Sequence, residues 1–250
     1  MANNSENGHA INVTNFENLI TSVTAFGATY NPSKDSIKLP ALQTLLTNAN
    51  QSLTDLNTVF SAYSAAVDER ELAFQPMGKL ITRANNALKA SGASSLTIET
   101  AQTIVRKLQG KRATAKLTDE EIKALEAQGK EVNQISASQM GYDSKVLNLD
   151  KFISLFETVP EYTPNEEELK ISALKLVQNQ LKTKNSKVIS TGVQLTNARA
   201  ARNEILYKPL TGLVDIAGDV KTYVKSAFGT SSIQYKQIAK LAFRSRKNIL

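Results

Sequence analysis

Cysteine and tryptophan are absent from this chain of 250 residues, and histidine occurs once. Without Cys there is no disulfide, no thiolate nucleophile, no iron–sulfur cluster and no Cys-ligated zinc, a pattern compatible with a reducing compartment. A Ser-His-Asp triad, a His-ligated zinc or a His general base would have to run through His9, which lies in an opening stretch rich in Asn, Ser and Gly. That setting predicts a solvated tail histidine. Nowhere do 18 apolar residues run together, and the first residues lack a basic region followed by an apolar one. These features predict neither a membrane span nor a signal peptide, with the cytoplasm as the default location.

Signature motifs are also missing. There is no Gly-x-Gly-x-x-Gly, no Gly-x-x-x-x-Gly-Lys-Ser, no His-Glu-x-x-His and no EF-hand spacing, so no catalytic, cofactor-binding or metal-ligating residue is assigned, no cofactor is expected, and the chain reads as a non-enzyme. Glu166, Glu167 and Glu168 form a carboxylate cluster. Its placement predicts the first turn of a long helix, where negative charge meets the positive end of the helix dipole. Asp68, Glu69 and Glu71 beside Arg70 read as a solvated, ion-paired helix face.

What is present is a sharply partitioned charge. The net charge is +7. Residues 1–110 hold 8 basic and 8 acidic side chains, residues 111–150 hold 6 and 7, and residues 151–250 hold 16 and 8. From Lys221 onward there are seven Lys and Arg and no acid, which points to an acidic partner for that end.

The chain also matches itself. Tyr30-Asn-Pro-Ser-Lys-Asp-Ser-Ile-Lys-Leu-Pro-Ala-Leu42 lies over Tyr162-Thr-Pro-Asn-Glu-Glu-Glu-Leu-Lys-Ile-Ser-Ala-Leu174, with Tyr, Pro, Lys, Ala and Leu recurring in register. Glu71-Leu-Ala-Phe-Gln-Pro-Met77 lies over Glu204-Ile-Leu-Tyr-Lys-Pro-Leu210, and Phe16, Leu19 and Val23 have counterparts in Phe152, Leu155 and Val159. The shift of 132 to 137 residues predicts a tandem duplication.

Within each copy the apolar residues step by four and three. Leu42, Leu46, Ala49, Leu53, Leu56, Phe60, Tyr63, Val67, Arg70 and Phe74 make one stripe, and the positions from Leu174 to Ile205 repeat it with a weaker middle. No Gly or Pro interrupts residues 41–74, so a helix of about 35 residues spanning roughly 52 Å is expected. Pro76 and Pro209 should end or kink the long helices. Two shorter helices follow each one, with Thr211 expected to cap the helix after Pro209 and Ser231 or Ser232 the last one. Between the copies, Thr118-Asp-Glu-Glu121 reads as a capping box opening a helix that closes at Gly129. Val132, Ile135, Gln139, Tyr142, Val146, Leu149, Ile153 and Phe156 form a third stripe, with Gly141 as its weak point.

Together these readings predict an all-α fold. It is a tandem duplication of a long helix plus two short ones, packed as an antiparallel elongated helical bundle with pseudo-twofold symmetry. The expected organisation is a polar tail over 1–12, repeat one over 13–110, a helical connector over 111–150, and repeat two over 151–250 with a basic end. The Tyr-x-Pro opening of each half, the block Tyr207 to Val214 and the block Val224 to Gly229 resemble an uncharacterised family of bacterial all-helical proteins with two duplicated halves. The resemblance covers nearly the whole chain and implies the fold. It carries over no functional residue.

Two constellations remain as candidates. Arg70 and Arg202 fall at matching places on otherwise apolar stripes, where a polar residue sets register between helices or lays its stem along apolar surface. Lys236, Lys240, Arg244 and Lys247 recur at steps of four, four and three, which on one helix makes a cationic ridge suited to an acidic partner or to nucleic acid. The favoured expectation is a non-enzymatic structural protein that self-associates into an oligomer or filament, its unlike halves meeting head to tail. Nucleic-acid binding through the basic end is the alternative, and a membrane-interacting helical protein the second.

Overall fold

The computed structural model describes residues 4–111, 118–128 and 140–244, and every regular element among them is helical. Along the chain these are α1 (Asn4–Ala25), α2 (Leu39–Phe74), α3 (Met77–Ala90), α4 (Ser95–Gln109), α5 (Asp119–Ala127), α6 (Tyr142–Glu157), α7 (Ile171–Tyr207), α8 (Leu213–Phe228) and α9 (Ile233–Ala239). Short 3-10 turns at Gly27–Thr29, Asp35–Ile37 and Glu167–Leu169 precede the long helices. No described helix is long and apolar enough to cross a membrane.

Local chemistry accounts for the boundaries. The long helix α2 has 36 residues and tolerates Pro40 in its first turn, where the missing N–H has no helical partner to lose. It stops two residues before Pro76, and α3 starts one residue after it. Ser94 and Ser232 cap α4 and α9, their side chains accepting hydrogen bonds from the Thr97 and Tyr235 amides. Gly110 closes α4 in the left-handed conformation, φ 67°, that glycine adopts without steric cost.

Several boundaries differ from expectation. Thr211 does not cap α8; Gly212 occupies the N-cap and offers no side-chain bond. The Glu166–Glu168 cluster does not open α7 but sits at a separate 3-10 turn, held off the helix by extended backbone at Lys170. Gly141 breaks the third stripe: α6 begins at Tyr142, and Val132, Ile135 and Gln139 lie outside the described residues. Helix α5 is described to Ala127, and Gly129 too lies outside. The opening stretch 1–12 is not simply a tail, because α1 starts at Asn4 and buries His9 and Asn12.

Two compact units emerge, each assembled from distant stretches of chain. The first joins residues up to Tyr63 with those from Thr191 onward, and the second comprises Ser64–Ser190. The compact units therefore do not follow the sequential blocks 13–110 and 151–250. A helix of 36 residues is longer than one small core can cover, so each long helix gives its first and last stretches to different cores. In the first unit, α1, α8 and α9 pack on Leu42, Ala49 and Leu206 around the fully buried Phe16, Leu19 and Val23. In the second, α3, α4 and α6 pack around Phe152, Phe156, Ile81 and Leu88. Complete burial of each such side chain contributes about 1.5–3 kcal/mol.

Candidate interaction surfaces

The basic end does not form the expected ridge. Helix α9 stops at Ala239 after seven residues, and residues 241–244 run on without helix. The reason is a set of side chains that bind this segment's backbone. Asn12, wholly buried, accepts from the Arg244 amide through Oδ1 and donates to its carbonyl through Nδ2, both at 2.9 Å. Asn15 Nδ2 donates to the Ala242 carbonyl at 2.7 Å, and Lys221 Nζ donates to that of Leu241 at 2.5 Å. Lys221 also lies over the Phe243 ring, and partial burial holds its ammonium pKa below the ordinary lysine value. The 3.6-residue spacing of Lys236, Lys240 and Arg244 therefore does not place them on one helix. Lys236, Lys240 and Arg244 are exposed, and Lys247 lies outside the described residues.

His9, expected in solvent, is instead 8% exposed, with its Nδ1 2.6 Å from the Tyr207 hydroxyl. Asn12 Nδ2 donates to the same hydroxyl at 3.3 Å. Sequence reasoning missed this cluster because the polar residues around His9 mask the burial of one face of α1. The signal was there in Asn12, Phe16, Leu19 and Val23, which share a helical face.

The two stripe arginines part company. Arg70, half-buried in the second unit, donates from Nη1 to Asn185 Oδ1 at 3.1 Å and stacks 3.9 Å above the Tyr142 ring. Asn185 in turn donates to Asp143 Oδ1 at 2.6 Å, so α2, α7 and α6 are joined by one polar chain. Arg202, 4% exposed in the first unit, reaches Asn203 Oδ1 from Nη2 at 3.2 Å. Glu69 leaves its own helix face and pairs with Lys184 and Lys187 of α7 at 3.0 Å each, which lowers its carboxyl pKa.

A turn at the start of α8 has the most unusual backbone among the described residues. Leu210 has φ 68°, the one described non-glycine residue at positive φ, and its side chain is 78% exposed. Pro209 precedes it in the turn, and the Asp215 carboxylate holds it by accepting the Leu210 amide at 2.8 Å. Gly212 closes the turn by donating to the Lys208 carbonyl at 2.7 Å, an approach so close that a Cβ there would lie 2.6 Å from Lys208 N. Beside the turn is an open groove of about 720 Å³, lined by Arg199, Asn203, Tyr207 and Lys208 among others.

In the second unit another groove, of about 560 Å³, lies between α3 and the segment 161–169. Tyr162 forms part of its wall and donates to the Leu169 carbonyl at 2.7 Å. Tyr30 in the first unit makes the same seven-residue bond to Ile37 at 2.6 Å. Burial pushes both phenols up, that of Tyr162 to about 12 with Glu166 adding to the effect, and that of Tyr30 further with Tyr223 adding. No group of three or more acids and histidines able to hold a metal occurs among the described residues.

No family model, curated protein or solved structure matches this chain.

Proposed function

We propose that the chain is a non-enzymatic structural protein that associates with copies of itself through helical surfaces, and that it arose by tandem duplication of one helical unit into copies related by a pseudo-twofold axis. Leu210 carries the first part. A leucine held in left-handed backbone costs about 1–2 kcal/mol relative to glycine, and this one stays 78% exposed. Asp215 and Gly212 maintain that conformation, and strain stored beside a groove is characteristic of a surface built to meet something else. At the matching place after Pro76, Met77 is instead 3% exposed inside α3. Large apolar side chains also stand out from the long helices: Phe60 and Val193 in the first unit, Leu72, Leu176 and Ile189 in the second, each at least half exposed.

Support for the duplication comes from paired details: the Tyr30 and Tyr162 bonds, the 3-10 turns that follow them, and long helices of 36 and 37 residues. Light scattering and electron microscopy of the purified protein test the assembly reading. It expects particles larger than the monomer that shrink when Leu210 is replaced by Asp. A monomer at every concentration overturns it.

Nucleic-acid binding is a second reading, favoured by the exposed Lys236, Lys240 and Arg244 and the lack of acids around them in sequence. The short α9 and its pinned extension count against it, since they remove the continuous cationic ridge.

A further inference from the structure

The two tyrosine-bearing turns are built alike but finished differently. In the first unit, Tyr223 of α8 meets the Tyr30 ring edge-on at 5.3 Å, and its hydroxyl accepts the Asn31 amide at 3.1 Å. Lys34 and Asp219 close the side at 2.5 Å. In the second unit, Arg83 and Glu168 make the corresponding closure at 2.8 Å. The shift that lays Asp219 over Arg83, and the buried Leu213, Ala217 and Val224 of α8 over the buried Met77, Ile81 and Leu88 of α3, lays Tyr223 over Ala87, however. A methyl group stands where the other unit has a phenol ring. The result is the groove of about 560 Å³ with Ala87, Ala90 and Pro164 in its lining.

Its rim is acidic. Glu167 pairs with Lys170 and Glu168 with Arg83, while Glu161 and Glu166 are exposed and have no ion-pair partner among the described residues. The opposite charge is found at the other end of the chain, where residues 221–244 carry five Lys and Arg and no acid. There Ile233 is 82% exposed at the start of α9, followed by the exposed Lys236 and Lys240. Ile233 and Lys236 share one side of α9, and Lys240 follows as its C-cap, still in helical backbone.

We infer that the groove between α3 and segment 161–169 is the docking site for a second copy of this chain. Ile233 of that copy enters over Ala87, with Lys236 and Lys240 against Glu161 and Glu166. This rests on the self-association reading and gives it a direction. The site and its complement are different surfaces, so the contact is heterologous and repeats from copy to copy into rings or filaments.

Charge reversal tests it, read by sedimentation velocity with circular dichroism as the check on folding. The double variants E161K/E166K and K236E/K240E each alter exposed residues. Each should assemble at least about tenfold more weakly than the natural chain. An equimolar mixture of the two should regain assembly, because each then offers the surface the other needs. Ala87→Tyr, which refills the groove without changing charge, should also block assembly. Raising salt from about 0.1 M to about 1 M cuts the screening length from about 10 Å to about 3 Å and should dissociate the particles.

A natural chain that stays monomeric overturns both this inference and the reading beneath it. Particles that form unchanged from either double variant, or a mixture that does not regain assembly, overturn the docking site alone and leave association through Leu210 standing. Loss of duplex-DNA retardation in K236E/K240E with assembly intact also overturns it and assigns the basic end to nucleic acid.

Discussion

The side-chain amide of Asn12 bonds both backbone polar groups of Arg244, accepting the N–H and donating to the carbonyl at 2.9 Å each. A buried Asn used in this way substitutes for a strand partner, and it ties residues 241–244 to α1 where no helix or sheet would hold them. Asn12→Ala leaves the Arg244 groups unpaired beside a void. The expected loss is about 1–3 kcal/mol of stability, measured by urea denaturation. Hydrogen exchange should show the Arg244 amide among the first to lose protection.

The turn at Leu210 makes opposite predictions for two neighbouring residues. Leu210→Gly removes the left-handed penalty and should raise stability by about 0.5–1 kcal/mol, net of the greater entropy of an unfolded glycine, while weakening self-association. Gly212→Ala places a methyl group 2.6 Å from Lys208 N, against backbone that cannot yield without opening the turn. It should lower the melting temperature. Thermal unfolding of both variants at one protein concentration separates the effects, and equal shifts in the same direction would refute this account of the turn.

Much of the helical framework was legible in the sequence, because prolines and four-three periodicity act locally. Pro76 ends α2, and Leu42, Ala49, Leu56 and Phe74 are buried as their stripe requires. Phe60 lies on the same stripe yet is 50% exposed. Periodicity identifies a face; it does not say whether a neighbour covers that face at every turn. The candidate site was less legible for the same reason. Asn12 and Arg244 are 232 residues apart, and nothing in the spacing of Lys236, Lys240 and Arg244 reveals that α9 stops between them. Leu210 at positive φ is contrary to its own propensity, so only the Pro before it and the Gly two residues after it hinted at a tight turn.

The chain Arg70–Asn185–Asp143 joins three helices through the buried Asn185 amide, so its members should be coupled. Arg70→Lys keeps the charge but loses the planar stack on Tyr142 and the fixed fork that reaches Asn185. It should cost nearly as much as Arg70→Ala, about 1–3 kcal/mol. A double-mutant cycle between Arg70→Ala and Asn185→Ala should return a coupling of about 0.5–3 kcal/mol. Additive losses would show that the two residues act independently and that the arginine serves only to cover apolar surface.

Tyr30 and Tyr162 make stability sensitive to alkaline pH. Burial raises both phenol pKa values above the ordinary 10, that of Tyr162 to about 12. The unfolded chain therefore ionises first as pH rises, and its proton loss favours unfolding. The contribution is whole below about pH 10 and is lost as pH climbs from there through the folded-state value. Tyr162→Phe should behave in two ways at once. At neutral pH it should be less stable by about 0.5–1.5 kcal/mol, because the Leu169 carbonyl loses its donor. Above pH 10 its stability should fall less steeply than that of the natural chain. The phenolate absorbance of the folded protein should show Tyr30 and Tyr162 titrating late. A decline in stability with the same alkaline slope in Tyr162→Phe would mean that other groups govern it.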